Sequence, residues 1–215
     1  MSDFSTRRVM MVDTQVRPSD VTKFPIIAAM LAVPRERFVP PSHKEAAYVG
    51  LNLPVGDRRV VLEARSLAKL LDFLDIQPGD LVMDLGAGCG YASAVLAEMA
   101  ARVVAVEEDG AMAGQARVEL AGISGVKVVS ARLSTGAAAD GPYDAIIVQG
   151  AVETLPQAIL DQLKEGGRIG AIFMQGALGT ARIGTKTDGV VTWRYAFNAT
   201  APVLPGFEAQ RDFVL

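Results

Sequence analysis

A strand-like run that breaks into glycines, then a helical run, then a second apolar strand: this succession most restricts what the chain can become. Residues 81–85 (LVMDL) are apolar enough for a buried strand, Gly86-Ala87-Gly88-Cys89-Gly90 interrupts any regular element, and residues 91–100 carry helical character. Residues 102–106 read as another strand and 111–120 as another helix, with strands following at 126–129 and 145–148. A helix is expected over 156–163, ending at the glycine stop signal Gly166-Gly167. Strand and helix alternating at this short spacing predict a parallel sheet covered on both faces. Beyond Arg168 the text turns β-rich, at 168–173, 179–183 and 190–196, which predicts an antiparallel hairpin joined to the sheet edge. The expected fold class is α/β: a mostly parallel, doubly wound, Rossmann-like sheet with an antiparallel terminus.

Residues 1–60 differ in texture. Residues 24–33 suit a short apolar helix, with Pro25 in its first turn and Pro34 stopping it. Residues 34–56 are rich in proline and lack periodicity, as expected of an ordered coil lying over the core and covering a site. We read residues 1–215 as one domain, with 1–60 as a covering segment and 61–215 as the α/β core. Half of the residues are hydrophobic and 21% are charged, so apolar burial can offset the entropy of ordering. A net charge of −3 provides no general attraction to nucleic acid or to anionic lipid. The first ten residues lack the apolar stretch of a secretory signal, and nowhere do eighteen apolar residues run together, so a cytoplasmic protein without membrane contact is expected. A single cysteine, Cys89, and a single histidine, His43, argue against a metal centre. Cys89 is expected to be a small filler and His43 a surface residue.

The glycine turn carries the chemistry. Gly86 and Gly88 allow close approach of a ligand to backbone, and N–H groups at the start of the next helix offer hydrogen bonds. Twenty-one positions after Gly86, at the end of the second strand, Glu107 is placed to accept from both hydroxyls of a ribose. A nicotinamide dinucleotide asks for G-x-G-x-x-G, whereas the spacing here is G-x-G-x-G, with Asp84 two residues before the first glycine. Asp84 would repel a pyrophosphate but attract an ammonium, directly or through water, which favours S-adenosylmethionine over a nicotinamide cofactor.

At these residues the sequence resembles the protein-L-isoaspartate O-methyltransferase family. The likeness runs through Val33-Pro-Arg-Glu-Arg-Phe-Val-Pro40, Ala47-Tyr48, Leu53-Pro-Val-Gly56, the segment from Asp84 to Tyr91, Val106-Glu107, Tyr143-Asp-Ala-Ile-Ile-Val148 and Gln162-Leu-Lys-Glu-Gly-Gly167. The order and spacing of these elements are more specific than any one motif. The resemblance implies a class I S-adenosylmethionine-dependent methyltransferase fold, with the donor bound over the strand ends. It also implies methyl transfer to a carboxylate on a protein or peptide partner, first of all the isoaspartyl residues of damaged proteins. Reading residues and resemblance together, the expected cofactor-binding residues are Asp84, Leu85, Gly86, Ala87, Gly88, Gly90, Tyr91, Glu107, Glu108, Arg132, Leu133 and Gln149, and no catalytic residue is assigned.

The departures from the family pattern are specific. Where the family carries Q-T-I-S-Q-P, this chain has Arg59-Val-Val-Leu-Glu-Ala64, so Val60 and Leu62 replace hydroxyl residues that lie beside donor and substrate. Where the family has G-D-G after the third strand, this chain has Ala131-Arg132-Leu133, exchanging an acceptor for a cation whose planar head suits stacking on adenine. The family's T-A-A after the fourth strand is Gln149-Gly150-Ala151. These changes keep open a second expectation: a donor-binding paralogue without isoaspartyl activity, acting as a sensor or interaction protein or on another acidic substrate recognised by Arg58, Arg59 and Arg65.

Overall fold

The computed structural model describes residues 3–209. Helix α1 (Phe4–Met11) is capped by Asp3, whose Oδ1 accepts from the N–H groups of Ser5 and Thr6 at 3.1 and 3.2 Å. It continues through a π-type turn (Val12–Val16), and α2 (Phe24–Ala32) follows, with Pro25 in its first turn. The coil expected over 34–56 is more structured than its composition suggests. It contains two short 3-10 turns (Arg35–Arg37 and Pro41–Ala46) and then β1 (Leu53–Gly56), which pairs antiparallel with β2 (Arg59–Val61) in a separate two-stranded sheet. Proline masks such elements in sequence because they need few backbone donors.

The covering segment is part of the core. Met11, Val16, Ile26, Met30 and Phe38 are buried with α3 (Ala64–Leu74) and the sheet behind it. The fastener is Arg35, 1% exposed, whose Nε and Nη2 donate to the carbonyls of Ala47 and Leu62 at 2.7 Å each, while its guanidinium lies 4.7 Å from the centre of the Tyr91 ring.

The apolar runs build one seven-stranded sheet. Its strands are β3 (Leu81–Leu85), β4 (Arg102–Glu107), β5 (Val126–Ser130), β6 (Tyr143–Val152), β7 (Leu163–Gln175), β8 (Leu178–Thr187) and β9 (Val190–Asn198), in the order β5-β4-β3-β6-β7-β8-β9. The first five run parallel to one another, and β8 and β9 each pair antiparallel with the strand before, as the β-rich close of the sequence implies. Alternation along β3 feeds two cores. Leu81, Met83 and Leu85 pack with Val106, Ile146 and Phe207 on one face, and Val82 packs with α3 and with α4 (Tyr91–Ala97) on the other. A further helix, α5 (Gly110–Leu120), contributes Met112, Ala116 and Leu120 to the larger core. Strand order reverses between β3 and β6, so the carboxyl ends of these strands form the crevice where ligands of open α/β sheets bind.

One expected helix is corrected. Residues 156–163 form only a single turn, α6 (Gln157–Leu160), and Gly166-Gly167 lies inside β7 rather than capping a helix. Tyr143 donates to the Gln162 carbonyl at 2.8 Å and stands in register with Leu163, so the sheet claims the segment early. Gly166 has φ +77°, and a Cβ on Gly167 would meet the Lys164 carbonyl at 2.8 Å, so both glycines serve an irregularity of the strand. Among the described residues no helix is long and apolar enough to cross a membrane.

Candidate functional site

β3 ends at Leu85 and the chain turns through Gly86, Gly88 and Gly90, all at positive φ (83°, 58° and 99°), before entering α4. Only glycine adopts this succession without strain, which is why the turn can lie flat across the strand ends. The amide groups of the turn are less available than the sequence suggests. Gly86 and Ala87 N–H both donate to the Val106 carbonyl (2.9 and 3.0 Å), Gly90 N–H donates to the Ala87 carbonyl (2.9 Å), and Gly88 N–H donates to Glu107 Oε2 at 2.7 Å. The tight turn thus satisfies these four donors itself, as buried backbone must, and the expected ligand hydrogen bonds fall to the amides at the start of α4.

Glu107 is the last residue of β4, fully buried, and it faces the turn as expected. Its carboxylate is already saturated. Oε1 accepts from Arg59 Nη1 at 2.8 Å and from Asp109 N–H at 3.0 Å, and Oε2 accepts from Gly88 N–H and from Arg59 Nη2. Arg59 comes from β2 and is 4% exposed, so this is a bidentate, buried ion pair spanning 48 positions of sequence. The sequence singled out Arg59 but not its target, because nothing local connects a hairpin arginine to the end of β4.

The same guanidinium covers the face that glycine leaves open. A Cβ on Gly86 would stand 3.3 Å from Arg59 Nη2 and 3.4 Å from Leu204 Cδ1, and a Cβ on Gly56 would fall 2.2 Å from Met112 Cε. The C-terminal segment is tied over the strand ends by backbone bonds, Ala151 N–H to the Pro202 carbonyl and Leu204 N–H to the Ala151 carbonyl, each 2.9 Å. What remains between the turn, Tyr91, Gln149 and the segment from Val60 to Leu62 is a cavity of about 10 Å³. One water fits such a space, whereas small-molecule sites run to roughly 300–1,000 Å³. Larger hollows of about 420 and 480 Å³ lie elsewhere, the first between the N-terminal segment and α3, the second beside β8, and both touch Glu63 just after β2.

The other expected residues divide. Asp84 is buried in β3, with Oδ2 accepting from the Ser93 hydroxyl and Oδ1 without a hydrogen-bond partner among the described residues. Burial pushes its carboxyl up to about 6, and Ser93 pulls the other way. Leu85, Ala87 and Leu133 are packed into the cores. Glu108 reaches across to accept from Leu133 N–H at 3.2 Å, and Arg132 is exposed at the start of the turn Leu133–Thr135. Tyr91 is a core residue under Arg35, its hydroxyl unpartnered among the described residues and held above the usual phenol range by burial. Gln149, 5% exposed, lines the small cavity with its Nε2 equally unpartnered. Val60 and Leu62 place no hydroxyl beside the turn, and Leu62 is buried.

The anion-binding cluster considered for Arg58, Arg59 and Arg65 does not assemble. Arg58 pairs with Glu208, Arg59 with Glu107, and Arg65 lies over the Phe197 ring 3.8 Å from Glu63. Cys89 is buried, and its thiol is pushed up to about 11 by burial and then by Glu107, as suits a filler. Met112 and Leu204 are site residues that sequence reasoning missed, and Arg59, expected to recognise an acidic substrate, binds Glu107 instead.

Comparison with known proteins agrees with this fold. The family model described as protein-L-isoaspartate(D-aspartate) O-methyltransferase matches residues 8–189. A protein-L-isoaspartate O-methyltransferase of Methanoculleus marisnigri is 38% identical over 164 residues, covering 75% of this chain and 74% of the relative. One of Methylorubrum extorquens is 39% identical over 170 residues, covering 78% and 74%. Among solved structures, a protein-L-isoaspartate O-methyltransferase superposes with TM-score 0.81 at 24% identity over 94% of this chain and 66% of that one. Another so described, from Plasmodium falciparum and in complex with S-adenosyl-L-homocysteine, superposes with TM-score 0.78 at 18% identity over 95% and 99%. At those identities the two structures speak to the fold.

Proposed function

Because this chain belongs to the protein-L-isoaspartate(D-aspartate) O-methyltransferase family, we propose that it transfers a methyl group from S-adenosylmethionine to a carboxylate, with isoaspartyl residues of proteins as acceptors. The observation that carries this reading is the placement of Glu107 at the end of β4, 2.7 Å from the Gly88 amide of the glycine turn, where a ribose would present two hydroxyls to one carboxylate. The residues suit the donor in kind: a turn that admits backbone contact at Gly86 and Gly88, Glu107 for the ribose, and the buried polar atoms of Asp84 and Gln149 alongside. A bound donor supplies an activated sulfonium methyl. The chain's own task is then positioning and exclusion of water, since a carboxylate acceptor is already ionised at neutral pH and needs no general base. Leu62 and Val60 contribute the apolar wall of that site.

A second reading has specific support: a donor-binding member of the family without isoaspartyl activity. Val60 and Leu62 place no hydroxyl where an acceptor carboxylate would be oriented, and Arg59 occupies Glu107. Calorimetry with S-adenosylmethionine, S-adenosylhomocysteine and NAD, followed by tritiated methyl transfer to an isoaspartyl peptide, separates the two. A base-labile methyl ester is the expected product. Adenosyl binding without ester would favour the second reading, and NAD binding in place of adenosyl binding would defeat both.

A further inference from the structure

The acid that should hold the ribose already holds an arginine. Glu107 offers two oxygens, and each accepts one guanidinium N–H and one backbone N–H, which uses its acceptor capacity. Arg59 lies against Gly86, on the side of the turn a nucleoside would approach, and the residual space of about 10 Å³ is far too small for one. We infer that Arg59 is an internal competitor for the ribose position, so that adenosyl ligands bind only when β2 withdraws Arg59 from Glu107, and that this residue sets the affinity of the site. The inference rests on the donor-binding reading above.

The hairpin that carries Arg59 is built to move. β2 spans Arg59–Val61 and pairs only with β1, outside the seven-stranded sheet. Its turn passes through Arg58 at φ +50°, a conformation that non-glycine residues adopt with strain. The tip is clasped by the Arg58–Glu208 pair, whose two side chains are 44% and 43% exposed, and exposed pairs of this kind are weak. The base is tied by Asn52, whose Nδ2 donates to the Thr200 carbonyl at 2.8 Å and whose Oδ1 accepts from Glu63 N–H at 2.9 Å. Such an arrangement lets the middle of the hairpin lift while its root stays fixed. Leu204 and Met112, which lie against Gly86 and Gly56, are apolar and can repack around an adenosyl group, whereas Arg59 must exchange a carboxylate partner for water or another anion.

The test is titration of the full chain with S-adenosylhomocysteine, comparing wild type, Arg59→Gln and Arg59→Lys, with melting curves to establish that each is folded. If wild type spends most of its time with Arg59 on Glu107, Arg59→Gln should bind about ten-fold or more tightly than wild type, with Arg59→Lys between them. Wild-type affinity equal to or tighter than that of Arg59→Gln overturns the inference and leaves the donor reading standing. No binding by either protein overturns both. A measurement on wild type alone covers the case in which the variants do not fold: amide hydrogen exchange at Val60 and Val61 should accelerate on addition of saturating S-adenosylhomocysteine. Binding without such acceleration overturns the inference.

Discussion

Replacing Asp84 by asparagine should change the pH dependence of stability in a calculable way. Asp84 is fully buried, and its carboxyl is pushed from the ordinary 3.8 up to about 6, chiefly by desolvation. A raised native value means that the folded state favours the protonated acid. Its contribution to stability is whole below pH 3.8 and is lost as pH rises through about 6. Over the full range this amounts to roughly 3 kcal/mol, and between pH 5 and pH 8 to roughly 1 kcal/mol. Asparagine does not ionise. Its fixed penalty, an amide N–H₂ placed where Oδ1 has no partner among the described residues, is the same at every pH and cancels in the comparison. Urea unfolding of both proteins at several pH values in that window, followed by the fluorescence of Trp193, gives the difference directly. Wild type should lose about 1 kcal/mol relative to Asp84→Asn on going from pH 5 to pH 8. A difference that stays flat, or that moves in favour of wild type, would refute the reasoning and mean that Asp84 is ionised in the fold.

Gly90→Ala should lower stability by about 2–3 kcal/mol, since φ is +99° and the new Cβ would stand 2.7 Å from Leu120 Cδ1. Gly114→Ala, in α5 with nothing within 4 Å of the added carbon, should instead raise it by about 0.5–1 kcal/mol; thermal melts of the two variants check the opposite signs. Arg35→Met should cost about 2–4 kcal/mol in urea unfolding, because the carbonyls of Ala47 and Leu62 lose their buried donor, and a loss below ~1 kcal/mol would mean that water replaces it. Cys89, with its thiol near 11, should be alkylated by iodoacetamide at pH 8 about a hundred-fold more slowly than a free cysteine; a rate close to the free thiol's would show that the turn opens.

Local period and local chemistry made some parts of this protein readable from its residues. Buried parallel strands announce themselves as apolar runs, so 81–85, 102–106 and 145–148 were legible, and so was the glycine turn, because three glycines in five residues have few other uses. The acid at the end of β4 followed from the length of one strand–helix–strand unit. What failed was decided by neighbours distant in sequence. The expected helix over 156–163 gave way because β6 recruits Leu163 into the sheet, and the proline-rich coil hid β1 because a two-stranded pairing leaves little periodic trace. The partner of Arg59 was invisible for the same reason. A guanidinium has no preferred local acceptor, so only the folding of β2 over the strand ends could place it on Glu107.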